Sequence, residues 1–230
     1  MIYGAFKDYA AEASTIAMLV RAVQPKAHTI LDVGCGTGEH AKHLRMSHGF
    51  AVDGLDLDAG LLAVARDKLS DAQFFEADMG AFDLRRRYDV VMCLFSSIGY
   101  LKTLDRVTAA LHCFRRHLAE DGVIVVEPWF APGILLEGGG SMQQAEADGV
   151  RVERTSHTTL TERLSSLTFS YRIEDQNGVR TVQEVHALGL FTEAEMQVSF
   201  MAAGLSATYD RTGLTGRGLY VARLAGEPSP

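Results

Sequence analysis

The chain has 230 residues, 47% hydrophobic and 22% charged, with a formal net charge of −7 and three cysteines; that balance fits one well-packed domain with room for an insertion. An acidic chain without a long basic run excludes nucleic acid as its main partner, since phosphate binding needs clustered lysine and arginine, and no apolar run nears the roughly 18–20 residues of a membrane-spanning helix. Cys35, Cys93 and Cys113 have no CxxC spacing, which argues against a disulfide framework or a zinc site and for a reducing cytoplasm.

The opening MIYGAFKDYAAEAS carries Lys7, Asp8 and Glu12 and no continuous apolar core, so it does not read as a secretory signal. HTILDVG reads as a buried strand, followed by the glycine-rich LDVGCGTGEH and a helix over AKHLRMS. AVDGLDL is a second strand, AGLLAVARDKL a helix and AQFFEADM a third strand. Arg85, Arg86 and Arg87 read as a solvated edge. YDVVMCLFS is strongly apolar and makes a central strand. LDRVTAALHCFRRHL has one apolar helix face through Val107, Ala110, Leu111, Phe114 and Leu118. DGVIVVEPW predicts a turn and a buried strand. Strands alternating with helices predict an α/β fold with a mostly parallel sheet covered on both faces.

After Pro132 the pattern changes. EGGGSMQ reads as a loop, and residues 150–190 alternate polar and apolar around Asn177-Gly178, which predicts antiparallel strands and a hairpin. The expected layout is one domain over residues 1–230 with a lid-like antiparallel insertion at about 132–190. TEAEMQVSFMAAG predicts a last helix, with Thr192 and Glu195 as a capping box and Gly204 as its stop. LSATYD and RGLYVARL predict a closing pair of strands, and the tail GEPSP is expected to be loose.

The glycine loop lies between the first strand and the first helix, where α/β sheets bind ligands. A dinucleotide fingerprint needs glycine at position 39, which holds Glu39. No lysine or arginine lies in the loop, so it is poorly suited to a diphosphate. Asp56 ends the second strand, where a carboxylate can accept from both hydroxyls of a ribose. Asp78 follows the third strand and can accept from an adenine amino group. A ribose acid and an adenine acceptor without a phosphate site point to a nucleoside with an amino-acid tail, which describes S-adenosylmethionine. His40 and His43 have H-x-x-H spacing on the helix, but no third ligand accompanies them, and no metal is expected.

LDVGCGTG, LDLD, EADM and the CLF strand end resemble the class I S-adenosylmethionine-dependent methyltransferases, with their Rossmann-like sheet. KDYAAEAS (7–14), FSSIGYLKT (95–103), VIVVEPWF (123–130), RTSH (154–157) and GRGLYV (216–221) are similar to a narrower family, the N,N-dimethyltransferases of the desosamine and mycaminose type. Those enzymes act on thymidine-diphosphate-linked deoxyamino sugars. The sequence departs from the family at Phe130, where a second tryptophan is expected, and in a shorter stretch before Lys7.

The resemblance implies that the cofactor is held by Tyr9, Gly34, Cys35, Gly36, Asp56, Leu57, Asp78, Met79 and Leu94. It implies that the substrate meets Tyr100, Trp129, His157 and Arg217, with Arg217 at the diphosphate. Tyr100 is the candidate catalytic residue, orienting the amine more than removing its proton. Each has a plainer reading: Tyr100 as a pocket wall, Trp129 as core, His157 as a strand histidine, Arg217 as a turn arginine in water, Tyr9 as a packing residue at a helix start. His186 ranks below His157, and Cys93 reads as a small buried residue beside the site. The alternatives left open are methyl transfer to oxygen or nitrogen of another small metabolite, and cofactor binding without turnover. A homodimer is also open.

Overall fold

The computed structural model describes residues 7–147 and 149–226. The residues before Lys7, including the start of the stretch read as no secretory signal, and tail residues 227–230 lie outside the described residues. The chain runs α1 (Tyr9–Val23), β1 (Thr29–Val33), α2 (Glu39–His48), β2 (Ala51–Asp56), α3 (Ala59–Lys68), β3 (Phe74–Glu76), β4 (Tyr88–Cys93), a 3₁₀ turn (Ser97–Leu101), α4 (Leu104–Arg116) and β5 (Leu118–Val126). There follow β6 (Met142–Ala147), β7 (Val150–Leu160), β8 (Leu164–Asp175), β9 (Gly178–Gly189), α5 (Glu193–Ala202), β10 (Leu205–Asp210) and β11 (Leu219–Leu224).

The main sheet has the order β10-β11-β5-β4-β1-β2-β3. Its strands are parallel except β11, which runs antiparallel to both β5 and β10. Alternation across the pleat divides the core. Ile30, Val52, Val90, Met92, Val123 and Val125 face the side packed with α1, α2 and α3 residues. Leu31, Val33, Val91, Cys93, Ile124 and Val126 face the side packed with α4 and α5 residues. Burial on both faces is why these strands read as near-continuous apolar runs.

Helix starts follow side-chain chemistry. Asp58 accepts from the amides of Gly60 and Leu61 to begin α3, Thr103 caps α4, and Thr192 with Glu195 forms the expected capping box of α5. The arginine run is not a solvated edge throughout. Arg86 donates to Asp53 at 2.7 Å, and the Tyr88 hydroxyl donates to the same oxygen at 3.0 Å. Asp53 is only 7% exposed, so this arginine neutralises a carboxylate carried by β2.

The insertion is a four-stranded antiparallel sheet, β6-β7-β8-β9. Its first strand, β6, precedes the alternating residues 150–190 and begins inside the segment read as a loop. The hairpin differs by one residue from the sequence reading. Asp175 pairs with Gly178, so the turn pair is Gln176-Asn177, with the Asp175 carboxylate accepting from the Asn177 amide. The sheet's base rests on the 3₁₀ turn: a Cβ at Gly99 would lie 3.0 Å from Leu188 and 3.1 Å from Trp129.

Candidate functional site

The strand order reverses between β1 and β4, and the carboxyl ends of these strands meet the loops that carry the predicted residues. Gly34 begins the glycine loop at φ +73°, and a Cβ there would stand 2.7 Å from that of Ser97. Only glycine satisfies both the left-handed backbone and the close approach of the turn after β4. The loop is tied down from β2: the amides of Gly34 and Cys35 donate to the Leu55 carbonyl, and the Gly36 amide donates to Asp56 Oδ2 at 2.8 Å. Asp56 Oδ1 accepts from the Asp58 amide at 3.0 Å. Asp56 therefore shapes the glycine loop as well as presenting a carboxylate at its mouth.

A cleft of about 620 Å³ opens here, lined by Gly34, Gly36, Asp56, Leu57, Leu61, Asp78, Met79, Ser97, Tyr100, Arg106 and His186 among others. Leu57 is 71% exposed and Leu61 40%, an apolar lip for a flat ligand to cover. Asp78 Oδ1 accepts from the Gly80 amide at 2.8 Å, and Oδ2 accepts from Arg106 at 2.7 Å. The Gly80 amide first, then Arg106, holds the Asp78 carboxyl below the usual range. Arg106 was missed by sequence reading; it lies on α4, and only the fold brings it to Asp78.

Asp32, at the carboxyl end of β1, is 1% exposed, and its Oδ2 has no hydrogen-bond partner. Burial, with the Asp56 charge adding to it, pushes its carboxyl up to about 6. A buried acceptor of this kind fits a cationic group beside the glycine loop. Next to it, Glu12 accepts from His40 Nε2 at 2.9 Å and pairs with Lys7 at 3.0 Å. Burial pushes the Glu12 carboxyl up, but His40 and Lys7 together outweigh it and hold the group below its usual range. His40 is thus a partner of Glu12, with the Tyr9 ring edge-on at 5.0 Å.

A second cluster forms after β4 and β5. Glu127 is fully buried; it accepts from the Phe95 amide at 2.7 Å, the Thr215 hydroxyl at 2.6 Å and Arg217 at 3.1 Å. Arg217 is therefore no turn arginine in water: its side chain is 13% exposed, and its Nε is buried without a partner. Its guanidinium lies 5.4 Å from the Phe95 ring and 5.8 Å from that of Trp129. The Trp129 indole donates to Ser165 on β8 at 2.8 Å, so it joins the insertion to the main sheet.

The inserted sheet reverses the ranking of two histidines. Thr158, Leu167 and His186 form one cross-strand row, and His157, Thr168 and Val185 the next; adjacent rows face opposite sides of a sheet. His186 reaches the cleft, 2.6 Å from the Tyr100 hydroxyl. His157 is exposed on the other face and does not line the cleft. Gly34, Gly36, Asp56, Leu57, Asp78, Met79 and Tyr100 thus share one cleft. Cys35, Leu94, Tyr9, Trp129 and Arg217 do not line it: the Cys35 thiol is turned toward Gly54 on β2, and Leu94 is 2% exposed. Cys93 is fully buried, and burial pushes its thiol up, away from reactivity.

A family model described as a methyltransferase domain matches residues 30–122. The dTDP-3-amino-3,4,6-trideoxy-alpha-D-glucopyranose N,N-dimethyltransferase of Streptomyces venezuelae is 42% identical over 219 residues, covering 95% of this chain and 92% of its own length. The crystal structure of Streptomyces venezuelae DesVI superposes with a TM-score of 0.91 at 42% identity, covering 96% of this chain and 94% of that one. An S-adenosylmethionine-bound amino pentose methyltransferase from Micromonospora echinaspora, CalS10, gives 0.86 at 36% identity, covering 95% and 92%. With a glycine loop that carries no lysine or arginine, a carboxylate at the end of β2 and a buried acid on β1 with an unpartnered oxygen, these matches define an S-adenosylmethionine-dependent methyltransferase. Its relationships extend past the cofactor half into the inserted sheet and the last strands. The chain belongs to the family of sugar N,N-dimethyltransferases. No helix among the described residues is long and apolar enough to cross a membrane.

Proposed function

We propose that the protein methylates the amine of a thymidine-diphosphate-linked deoxyamino sugar, twice in succession. The observation that carries this reading is the extent of the likeness. The general methyltransferase match stops at residue 122, whereas the amino-sugar enzyme stays 42% identical over 95% of the chain. That span includes the inserted sheet, Trp129 and the GRG stretch, the parts that close over a substrate.

Bound at the glycine loop, S-adenosylmethionine supplies a methyl group activated on a sulfonium. In this reading Asp56 accepts from the ribose hydroxyls, Asp78 from the adenine amino group, and Asp32 balances a positive charge of the amino-acid tail. Met79 and Leu57 form apolar walls, Gly34, Cys35, Gly36 and Leu94 provide backbone, and Tyr9 adds a hydroxyl. Arg217, held by Glu127, presents guanidinium N–H groups to the diphosphate. Trp129 offers a face to the sugar, and Tyr100 orients the amine. His157 has no part in this assignment, and no metal is required. The acceptor nitrogen attacks with its lone pair and the departing thioether is neutral, so proximity and orientation carry most of the rate; well-oriented partners gain on the order of 7–11 kcal/mol.

We read the chain as one domain with the inserted sheet as its lid. Cytoplasmic residence accords with three free thiols. A homodimer accords with β9, an edge strand that leaves Val179 and Val185 55% and 66% exposed; sedimentation of the pure protein tests it. The function is tested by incubating the protein with labelled cofactor and a panel of nucleotide-linked amino sugars, with products read by mass spectrometry. Mono- and then dimethylated amines are expected. Transfer only to hydroxyls, or to none of the nucleotide sugars, would overturn the reading.

A further inference from the structure

Behind Tyr100 stands a chain of polar groups that cofactor binding and substrate anchoring leave unused. The Tyr100 oxygen is 2.6 Å from His186 Nδ1. The other ring nitrogen, Nε2, is 3.4 Å from Glu184 Oε2, and the same oxygen accepts the Tyr171 hydroxyl at 3.1 Å. The ring is seated edge-on against Phe169 at 5.2 Å and Tyr100 at 5.9 Å. Among the described residues, the charged and titratable groups around it are Tyr100 on the 3₁₀ turn, Glu184 on its own strand, Tyr171 on β8, and Arg154 on β7, whose guanidinium lies 4.7 Å from the Phe169 ring centroid. Asp56, Asp58, Asp78 and Arg106 share the cleft.

We propose that His186, acting through the Tyr100 phenol, takes the proton that the acceptor amine must lose before each methyl transfer. This rests on the amine-methylating reading given above. The hydrogen-bond logic sets the direction. A carboxylate only accepts, so Nε2, facing Glu184, carries the ring proton. Nδ1 is then bare and accepts the phenol proton. The phenol lines the cleft, and a phenol oxygen accepts as well as donates, so it can meet an N–H there.

The step balances without a further reagent. One N–H bond of the substrate ammonium breaks as its proton passes to the phenol oxygen. The phenol O–H bond breaks in concert, and its proton bonds to Nδ1. The amine regains its lone pair, and the ring becomes an imidazolium with its Nε2–H on Glu184. The imidazolium gives its extra proton to bulk water between turnovers. After the first transfer the nitrogen is again cationic and loses a second proton by the same route. His186 acts on the substrate through Tyr100, and its imidazole takes a proton at Nδ1 while keeping the one at Nε2.

Two measurements test the proposal. Nitrogen-15 NMR of the imidazole in the ligand-free protein is expected to show the Nε2–H tautomer. The second compares wild type with His186→Asn, whose amide oxygen can replace Nδ1 as acceptor for the phenol but takes no proton. Single-turnover rates of the first and second methylations are followed from pH 6 to 9 at saturating cofactor and nucleotide-linked amino sugar. At pH 6.5 the variant should be slower by about tenfold or more, and by pH 9, where more of the amine is already neutral, within about twofold. Cofactor affinity should not change. A parallel fall at every pH, or an Nδ1–H tautomer, would overturn the proton route while leaving amine methylation standing. Failure of the wild type to methylate any amine would overturn the functional reading and the proton route with it.

Discussion

Glu127→Ala should be among the most damaging single changes in the molecule, although Glu127 touches neither the glycine loop nor Asp56. Its carboxylate is fully buried and serves three donors: the Phe95 amide, the Thr215 hydroxyl and the Arg217 guanidinium. Phe95 sits at φ +52°, a left-handed conformation that costs a non-glycine residue energy and that the Glu127 contact helps hold. Truncation leaves a guanidinium that is 13% exposed without its counter-charge, and an amide without its acceptor. Breaking a buried pair from one side costs about 3–5 kcal/mol. For a domain of this size each kcal/mol lowers Tm by roughly 2–4 °C, so the expected fall is about 6–20 °C. Thermal melts of the ligand-free protein, checked by urea titration, measure it. The double variant Glu127→Leu with Arg217→Leu should recover at least half of the loss, because no charge is then left buried. A single variant that melts within about 2 °C of wild type would refute the argument, since that is less than 1 kcal/mol.

Asp56→Ala should weaken cofactor binding by about 1.5–3 kcal/mol, or about 10- to 150-fold, through loss of charge-assisted hydrogen bonds; calorimetry on the folded variant checks it, and unchanged affinity removes Asp56 from the site. Arg106→Ala frees Asp78 Oδ2, so cofactor affinity should hold within about threefold while Asp78→Ala weakens it by tenfold or more; the reverse order would make the arginine the ligand group. Asp32 gives a pH signature. Its folded carboxyl is raised to about 6 above an unfolded value of about 3.9, so it costs stability increasingly as pH rises between the two. Asp32→Asn should therefore raise the ligand-free Tm at pH 8, with the gain shrinking toward pH 4, and should weaken cofactor binding; a gain that grows toward acid contradicts the burial argument. Burial pushes the Asp89 carboxyl up, but the amides of His28 and Thr29 and the Thr29 hydroxyl outweigh it and hold the group low. Its contribution is present above the ordinary carboxylate range and lost as pH falls through the folded value, so Asp89→Asn should flatten the acid limb of stability in melts between pH 5 and 3.

Some of this molecule is local in origin and was legible as such. The apolar runs of β1, β4 and β5, the glycine loop, the capping box at Thr192, and the acids ending β2 and following β3 each follow from neighbouring residues, because period, backbone freedom and capping act over a few positions. Other features depend on chain segments far apart. β6 was missed because its sequence, MQQAEA, leaves almost no face buried; its support is pairing to β7, which no local period announces. Arg106 finds Asp78 across 28 positions and Arg217 finds Glu127 across 90; full burial of Glu127 makes the second pair necessary, and burial is a property of the assembled sheet. The exchange of His157 for His186 turned on parity. One step along a strand moves a side chain to the opposite face, and the register that set the parity came from β8, which pairs with both strands. Residue types and spacing thus determined which chemistry the chain carries, while the packing of distant segments decided which of those groups stand together.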